Sequence, residues 1–427
     1  MRLTSFLFAA LVVASPSPAA DRHEAIARAA AAIEPKVVEW RRDFHRHPEL
    51  SKRETRTAGI VAEHLRSLGM EVRTGVGGTG VVGLLRGAAA EPVVALRADM
   101  DALPVTEETG LPFASTVTDT YNGQEVGVMH ACGHDAHVAI LMGVAEILAG
   151  MREQLPGSVK FIFQPAEEGE GGAVAMIRDG VLENPAPEAI FGLHVLSNQH
   201  TGKIDYRSGG LMAASDRFEI VVRGSQTHGA YPWRGIDPIV VGSQIVLALQ
   251  TIPSRQLDPT RAPSIVTVGS FHSGNRYNII PDEARLVGTI RSLDPEMRLD
   301  IHERMRRTAE NVAESAGATA ELTIDPNGTG VTYNDPELTE KMAPTLARVA
   351  GAGNVRVVNP TVVAEDFSAY QEQIPGMFFF LGCTPPDVPL EEAAPNHSPR
   401  FFVDEATLVT GVEALATLAA DYLAAAD

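Results

Sequence analysis

Cysteine is scarce, with only Cys132 and Cys383 in 427 residues. Two thiols so far apart exclude a disulfide framework as the source of stability. Basic residues are also few: 35 Lys and Arg against 54 Asp and Glu leave a formal net charge of −19. That balance argues against a nucleic-acid partner or an anionic membrane face, since both select for basic surfaces. There is no internal repeat, and no long apolar stretch directly follows the first twenty residues, so a membrane anchor is not expected there. Composition is otherwise that of an ordinary globular protein, long enough for two or three domains.

The N-terminal stretch "MRLTSFLFAALVVASPSPAA" joins a basic Arg2 to an apolar run, Phe6 to Val13, and then small residues and prolines. This is the pattern of a secretory signal, and it predicts cleavage near Ala19 or Ala20 and a periplasmic or secreted mature protein. After it, helical and strand periodicities alternate. "PVVALRADM" and "SVKFIFQPAEE" read as buried parallel strands, and "AHVAILMGVAEILAGM" reads as a helix. This alternation predicts an α/β sheet covered on both faces. From Gly209 to about Asp325 the order becomes strand, helix, two strands, helix, strand, which is the ferredoxin-like α+β pattern. The expected division is therefore a signal over 1–20, a catalytic domain over 21–208 and 326–427, and an inserted domain over 209–325.

The chemistry-bearing residues cluster where strands are expected to end. "HACGHDAH" sets Cys132 and His134 two apart, co-facial in an extended chain, just before a helix beginning at about Asp135. A thiol there is open to four readings: a disulfide, a nucleophile, a metal ligand partnered by imidazole, or plain loop chemistry. "QPAEEGEGG" places Glu167 and Glu168 side by side after a strand, where a solvated acidic turn is the plain alternative. "FGLHV" puts His194 at another expected strand end. "RADMDALP" gives Asp99 and Asp101, for which ion pairing with Arg97 is the plain reading, and "PNHSPRF" contributes His397. These are too many donors for one tetrahedral ion, and a pair of ions roughly 3.5–4 Å apart would use them all.

In this order and spacing, these clusters resemble the amidohydrolase branch of the dinuclear-metal aminoacylase and carboxypeptidase G superfamily. That branch includes hippurate hydrolase and the plant auxin-conjugate (indole-3-acetyl-amino acid) hydrolases. The resemblance runs from "RRDFHRHPELS" to "NHSPRFFVDE" and takes in "THGAYP", "NIIPDEARLVGTIR" and "AEDFSAY". It implies a zinc-peptidase-like catalytic domain with a mixed central sheet flanked by helices, and an inserted ferredoxin-like lid through which the chain forms a homodimer.

The resemblance also implies residue roles. Cys132 would bridge two divalent ions (zinc, manganese, cobalt or nickel), with His134 and His194 completing one and Glu168 and His397 the other. Glu167 matches the general base, Asp101 an acid behind the metal site, and His228 a carbonyl-polarising residue delivered from the partner subunit. Asn278 and Arg291 match positions that hold the substrate carboxylate within their own subunit. Gly229 and Trp233 depart from the usual pattern around His228. The implied substrate is an N-acyl amino acid, split to a carboxylic acid and a free amino acid. Three rivals stand beside that reading: a secreted dipeptidase or carboxypeptidase with the same site, a thiol hydrolase, and a binding protein that retains the fold without catalysis.

Overall fold

The computed structural model describes residues 18–169 and 171–425. Most of the expected N-terminal signal thus lies outside the described residues. An eight-stranded mixed sheet runs in the order Glu71–Val76, Gly80–Leu85, Ser158–Gln164, Val93–Asp99, Ala189–His200, Gly376–Thr384, Ile204–Tyr206, Val355–Val357. Its four middle strands, from Ser158–Gln164 to Gly376–Thr384, are mutually parallel. Three of them, Ser158–Gln164, Val93–Asp99 and Gly376–Thr384, are buried at every position. That is why they read as continuous apolar runs rather than alternating ones.

The two faces of each strand feed separate cores. Val94 and Leu96 join a large cluster with the helices Pro18–Arg46, His134–Gly150 and Thr407–Ala424. Ala95, Ile162 and Phe378 face the other way, towards Met176, Phe367 and Tyr370. The helix Thr407–Ala424 is long and apolar enough to cross a membrane, but most of it is buried in the first core. Asp421 near its end pairs with His23 at 2.6 Å and Arg348 at 3.0 Å, fastening the N-terminal helix in place.

A second sheet, all antiparallel, has the order Ser264–Ser273, Glu283–Ser292, Ala214–Arg223, Thr319–Ile324. The helices Pro238–Leu249 and Pro295–Ser315 cover it and share its own apolar core. Both helices begin at an Asp-Pro pair. Asp237 accepts from the backbone of Ile239 and Val240, Asp294 accepts from Met297, and each following proline sits where no N–H is needed. The sheet starts at Ala214. The strand Gly209–Met212, expected within the inserted domain, instead pairs with Thr332–Asn334, so the chain enters and leaves this sheet through adjacent segments.

Candidate metal centre and its cavity

Cys132 and His134 do not lie in extended chain as expected. Gly133 between them has φ 94°, in the left-handed region, and a Cβ there would fall 2.4 Å from Val195 Cγ2. This turn, rather than strand alternation, points both side chains one way, and His134 opens the helix His134–Gly150. His194 is also placed differently from expectation, since its strand continues to His200. The neighbouring strand Val93–Asp99 stops pairing at Arg97 opposite Gly192, while Gly376–Thr384 pairs on through Phe380 opposite His194. The sheet therefore opens on one side at His194 although the strand itself does not end.

Around this opening the donor atoms converge. Cys132 Sγ lies 3.3 Å from His194 Nε2 and 3.2 Å from His397 Nε2, and His397 Nε2 is 3.3 Å from Glu168 Oε1. Two triads result, Cys132–His134–His194 and Cys132–Glu168–His397, each with its donor atoms within 4.8 Å of one another and both containing the thiol. His134 Nε2 and Glu168 Oε1 are buried without a hydrogen-bond partner among the described residues. Orphaned lone pairs in a sulfur, nitrogen and oxygen set of this kind fit a divalent cation. Cys132 and Cys383 are both free, and Cys383 is buried against the backbone of Phe402 as a small apolar residue.

The surrounding groups orient these donors. Asp101 accepts from the backbone N–H groups of Glu167 and Glu168, each at 3.1 Å, and from the Ser51 hydroxyl at 2.6 Å. Its Oδ1 also faces His134 Nδ1 at 3.3 Å. Asp101 thus aligns both the glutamate turn and a histidine. His194 Nδ1 donates to the Val195 carbonyl at 2.8 Å, leaving Nε2 as the lone pair towards Cys132. His137 accepts from Val195 N–H at 3.0 Å and so donates through Nδ1 to Asp99 at 2.6 Å. Asp99 therefore has two partners, because Arg97 also donates to it at 2.7 Å. The plain ion-pair reading of "RAD" holds for Asp99 but not for Asp101.

Arg97 is the hub beneath the site. Fully buried, it donates to Gln164 at 2.9 Å, Glu365 at 2.9 Å and Asp366 at 3.0 Å as well as to Asp99. Glu167, Glu365 and Asp366 form a carboxylate group around it. Burial, followed by the charges of Glu365, Glu168 and Asp366, pushes Glu167 well above the ordinary carboxylate range. Burial and the neighbouring acids likewise raise Cys132. Burial alone would lower His134, but Asp99 and Asp101 outweigh it and hold the ring at about 10. For His397 the close approach of the Glu168 carboxylate is the main cause of an upward shift.

A cavity of about 390 Å³ opens on both triads. Leu196, Met212, Phe380 and Val363 give it apolar walls, and Ser215, Thr329 and Arg291 form its polar end. Ser215 and Arg291 are register partners across the second sheet. The half-buried Arg291 guanidinium has no hydrogen bond or ion pair among the described residues, and desolvation lowers its pKa.

The Peptidase family M20/M25/M40 profile matches residues 95–421, which include every residue of both triads. The chain belongs to this family. It is 42% identical over 393 residues to thermostable carboxypeptidase 1 of Saccharolobus solfataricus, covering 91% of this chain and 96% of that one. It is 38% identical over 390 residues to IAA-amino acid hydrolase ILR1-like 5 of Arabidopsis thaliana, covering 91% and 86%. Among solved structures it resembles the Bacillus subtilis YXEP protein, a dinuclear metal binding peptidase from the M20 family. The TM-score is 0.77 at 35% identity, over 92% of this chain and 99% of that one. This M20 chain is accordingly a hydrolase of amide bonds.

Two expected site residues stand apart from the cavity. His228 is exposed on a short ribbon, Thr227–His228 paired with Ile279–Ile280. Asn278, expected beside Arg291, instead accepts from Gly229 N–H at 2.9 Å through its carbonyl. A Cβ on Gly229 would come within 3.2 Å of that Asn278 carbonyl, a tight contact that a small shift of the ribbon would have to relieve. The correction has a simple cause: Asn278 precedes the strand Glu283–Ser292, and Arg291 sits at its far end. Sequence reasoning also missed Glu365, Asp366, His137 and Asn396. An arginine inside a seven-residue apolar strand was the available signal, since such a charge needs buried acceptors from elsewhere.

Proposed function

We propose that this chain hydrolyses N-acyl amino acids to a carboxylic acid and a free amino acid, with two divalent ions held by the triads that share Cys132. The observation that carries this reading is Arg291, unpaired among the described residues, in the cavity that Cys132, Glu168, His194 and His397 of the two triads also line. A planar, permanently charged fork beside the hydroxyls of Ser215 and Thr329 suits the α-carboxylate of an amino-acid conjugate. The apolar walls formed by Leu196, Met212 and Phe380 suit an uncharged acyl group better than the free ammonium of a dipeptide.

When bound by these residues, two divalent ions would supply a water of lowered pKa and a Lewis acid for the amide oxygen. Glu167 takes the proton of the attacking water and returns it to the departing nitrogen. Asp101 keeps Glu167 and Glu168 in register through their backbone N–H groups, so that one acts on protons while the other ligates. Arg291 and Ser215 hold the carboxylate end of the substrate.

The reading includes a homodimer. The outer face of Pro238–Leu249 exposes Val240 (53%) and Leu247 (72%), and the edge strand Ser264–Ser273 beside it exposes Ile265 (43%). An unpaired strand edge flanked by an apolar helix face suits self-association about a twofold axis. His228 and Asn278, carried on one ribbon, would then enter the partner's cavity together. The N-terminal sequence pattern supports export of the protein from the cytoplasm.

The test is an assay of an N-acyl amino acid against a dipeptide with the same C-terminal residue, with and without a chelator. Metal-dependent cleavage of the acyl substrate in preference to the dipeptide is expected. Faster dipeptide cleavage would overturn the substrate assignment, and chelator-resistant activity would overturn the metal mechanism. For the shared site, an inactive His228→Ala chain is mixed with an inactive Glu167→Gln chain under verified subunit exchange. Activity should reappear, because one site of each mixed dimer has both residues intact; no recovery would refute a site built from two chains.

A further inference from the structure

We propose that Asn396 is a positioning residue that clips the His397 loop onto Cys132 and His194, and so sets the affinity of the second ion specifically. The proposal rests on the two-ion reading above. Asn396 Nδ2 donates to two carbonyls on two other segments, Cys132 at 3.2 Å and Val195 at 3.1 Å. Its Oδ1 accepts from Ser197 N–H at 3.3 Å and from the Ser197 hydroxyl at 3.4 Å. The amide orientation follows from these partners: two carbonyls can only accept, and a backbone N–H can only donate.

One side chain therefore ties together three ligand-bearing segments. It precedes His397, it grips the carbonyl of Cys132, and it shares the Val195 carbonyl with His194 Nδ1. The ligands differ in how far they depend on it. His134 stands at the start of a buried helix, and His194 lies in a strand paired with Phe380. His397 sits in a loop with its side chain 54% exposed and φ 70°, a conformation that costs free energy in a non-glycine residue. Apart from the Asn396 contacts and the approach of the His397 ring to the Cys132 thiol at 3.2 Å, the loop is tied to the Cys132 segment, among the described residues, by one backbone bond, from His397 N–H to the Ala131 carbonyl at 2.7 Å. Without the amide, His397 loses its register on Cys132 and Glu168, while the Cys132–His134–His194 triad keeps its own supports.

The experiment compares wild type, Asn396→Ala and Asn396→Asp as full-length apoproteins titrated with cobalt(II). Bound metal is counted by elemental analysis, and the thiolate-to-cobalt absorption band reports ligation by Cys132. Asn396→Asp keeps the size and the Ser197 contacts but turns an acceptor towards the two carbonyls, so it tests the clip even if the alanine variant folds poorly. Wild type should bind two ions. Both variants should bind the first with wild-type affinity and the thiolate band intact, and the second about 10- to 100-fold more weakly, the usual effect of losing an outer-shell partner. His397→Ala supplies the reference for complete loss of that ion.

Wild-type affinity for both ions in the variants would overturn the proposal, as would equal weakening of both. A wild-type protein that binds a single ion would overturn the two-ion reading and the proposal with it. Two ions in wild type without selective loss in the variants would overturn the proposal alone.

Discussion

Replacing Arg97 by Met should be among the most destabilising single changes in this protein, and its cost should depend on pH in a definite direction. Arg97 is 1% exposed, and its guanidinium is shared by Asp99, Glu365 and Asp366, with Gln164 as a fourth acceptor. Methionine fills most of the volume but leaves three buried carboxyls without their cation. Removing one partner of a buried ion pair costs about 3–5 kcal/mol, and that range is expected here at pH 8.

Protonation of the stranded acids relieves part of this cost. In the wild-type chain, burial already raises Glu365 to about 8 and Asp366 to about 6 against the lowering effect of Arg97. Both folded values lie above those of the unfolded chain, about 4. The folded state therefore binds more protons between about pH 4 and pH 8, and the contribution of these two groups to stability falls as pH rises through that window. Without Arg97 their affinity for protons rises further, so the slope steepens. Urea unfolding followed by circular dichroism in the presence of chelator, at about pH 5.5 and about pH 8, measures both quantities. The cost should be larger at the higher pH, and Arg97→Met/Glu365→Gln should recover part of it. A cost below about 1 kcal/mol at the higher pH, the scale of a surface pair, would refute the reasoning. A cost that grew on acidification would refute it as well.

Glu167→Gln should nearly abolish turnover while leaving metal content unchanged, whereas Glu168→Gln should lose about one ion per chain; equal metal content in the two would mean that their roles are misassigned. Arg291→Ala should raise KM about 10- to 100-fold for substrates with a free carboxylate, the worth of hydrogen bonds to a charged group, and leave a C-terminal amide analogue unaffected. Denatured protein without reductant should titrate two free thiols, and Cys132 in the folded protein should be alkylated faster after metal removal than before; a Cys132–Cys383 disulfide in the mass spectrum would contradict the bond-free geometry.

Side-chain chemistry and local periodicity were legible without coordinates. The buried strands showed as apolar runs and the inserted sheet as a change of rhythm from Gly209, five residues before its first strand begins at Ala214. The donor types of both triads were legible too, because a Cys and several His at strand-to-helix turns have few cheaper uses. Less legible was how neighbours divide their work. Asp99 ends a strand and Asp101 lies two residues beyond it, and they hold different partners because His137 and Arg97 approach one while the glutamate turn approaches the other. Gly133 shows the same limit: the expected geometry of Cys132 and His134 was reached by a left-handed turn that no alternation rule contains.

By itself, then, the sequence determined the elements, their order and the kinds of atom available for chemistry, since each depends on residues within a turn or a strand of one another. Tertiary structure decided which distant residues meet. Glu365 and Asp366 reach Arg97 across more than 260 residues of chain, and Asn396 joins three separate segments. Asn278 lies with His228 although it is nearer to Arg291 in sequence. Those meetings depend on strand register and on where one strand outlasts its neighbour, and neither is encoded in the local spacing of side chains.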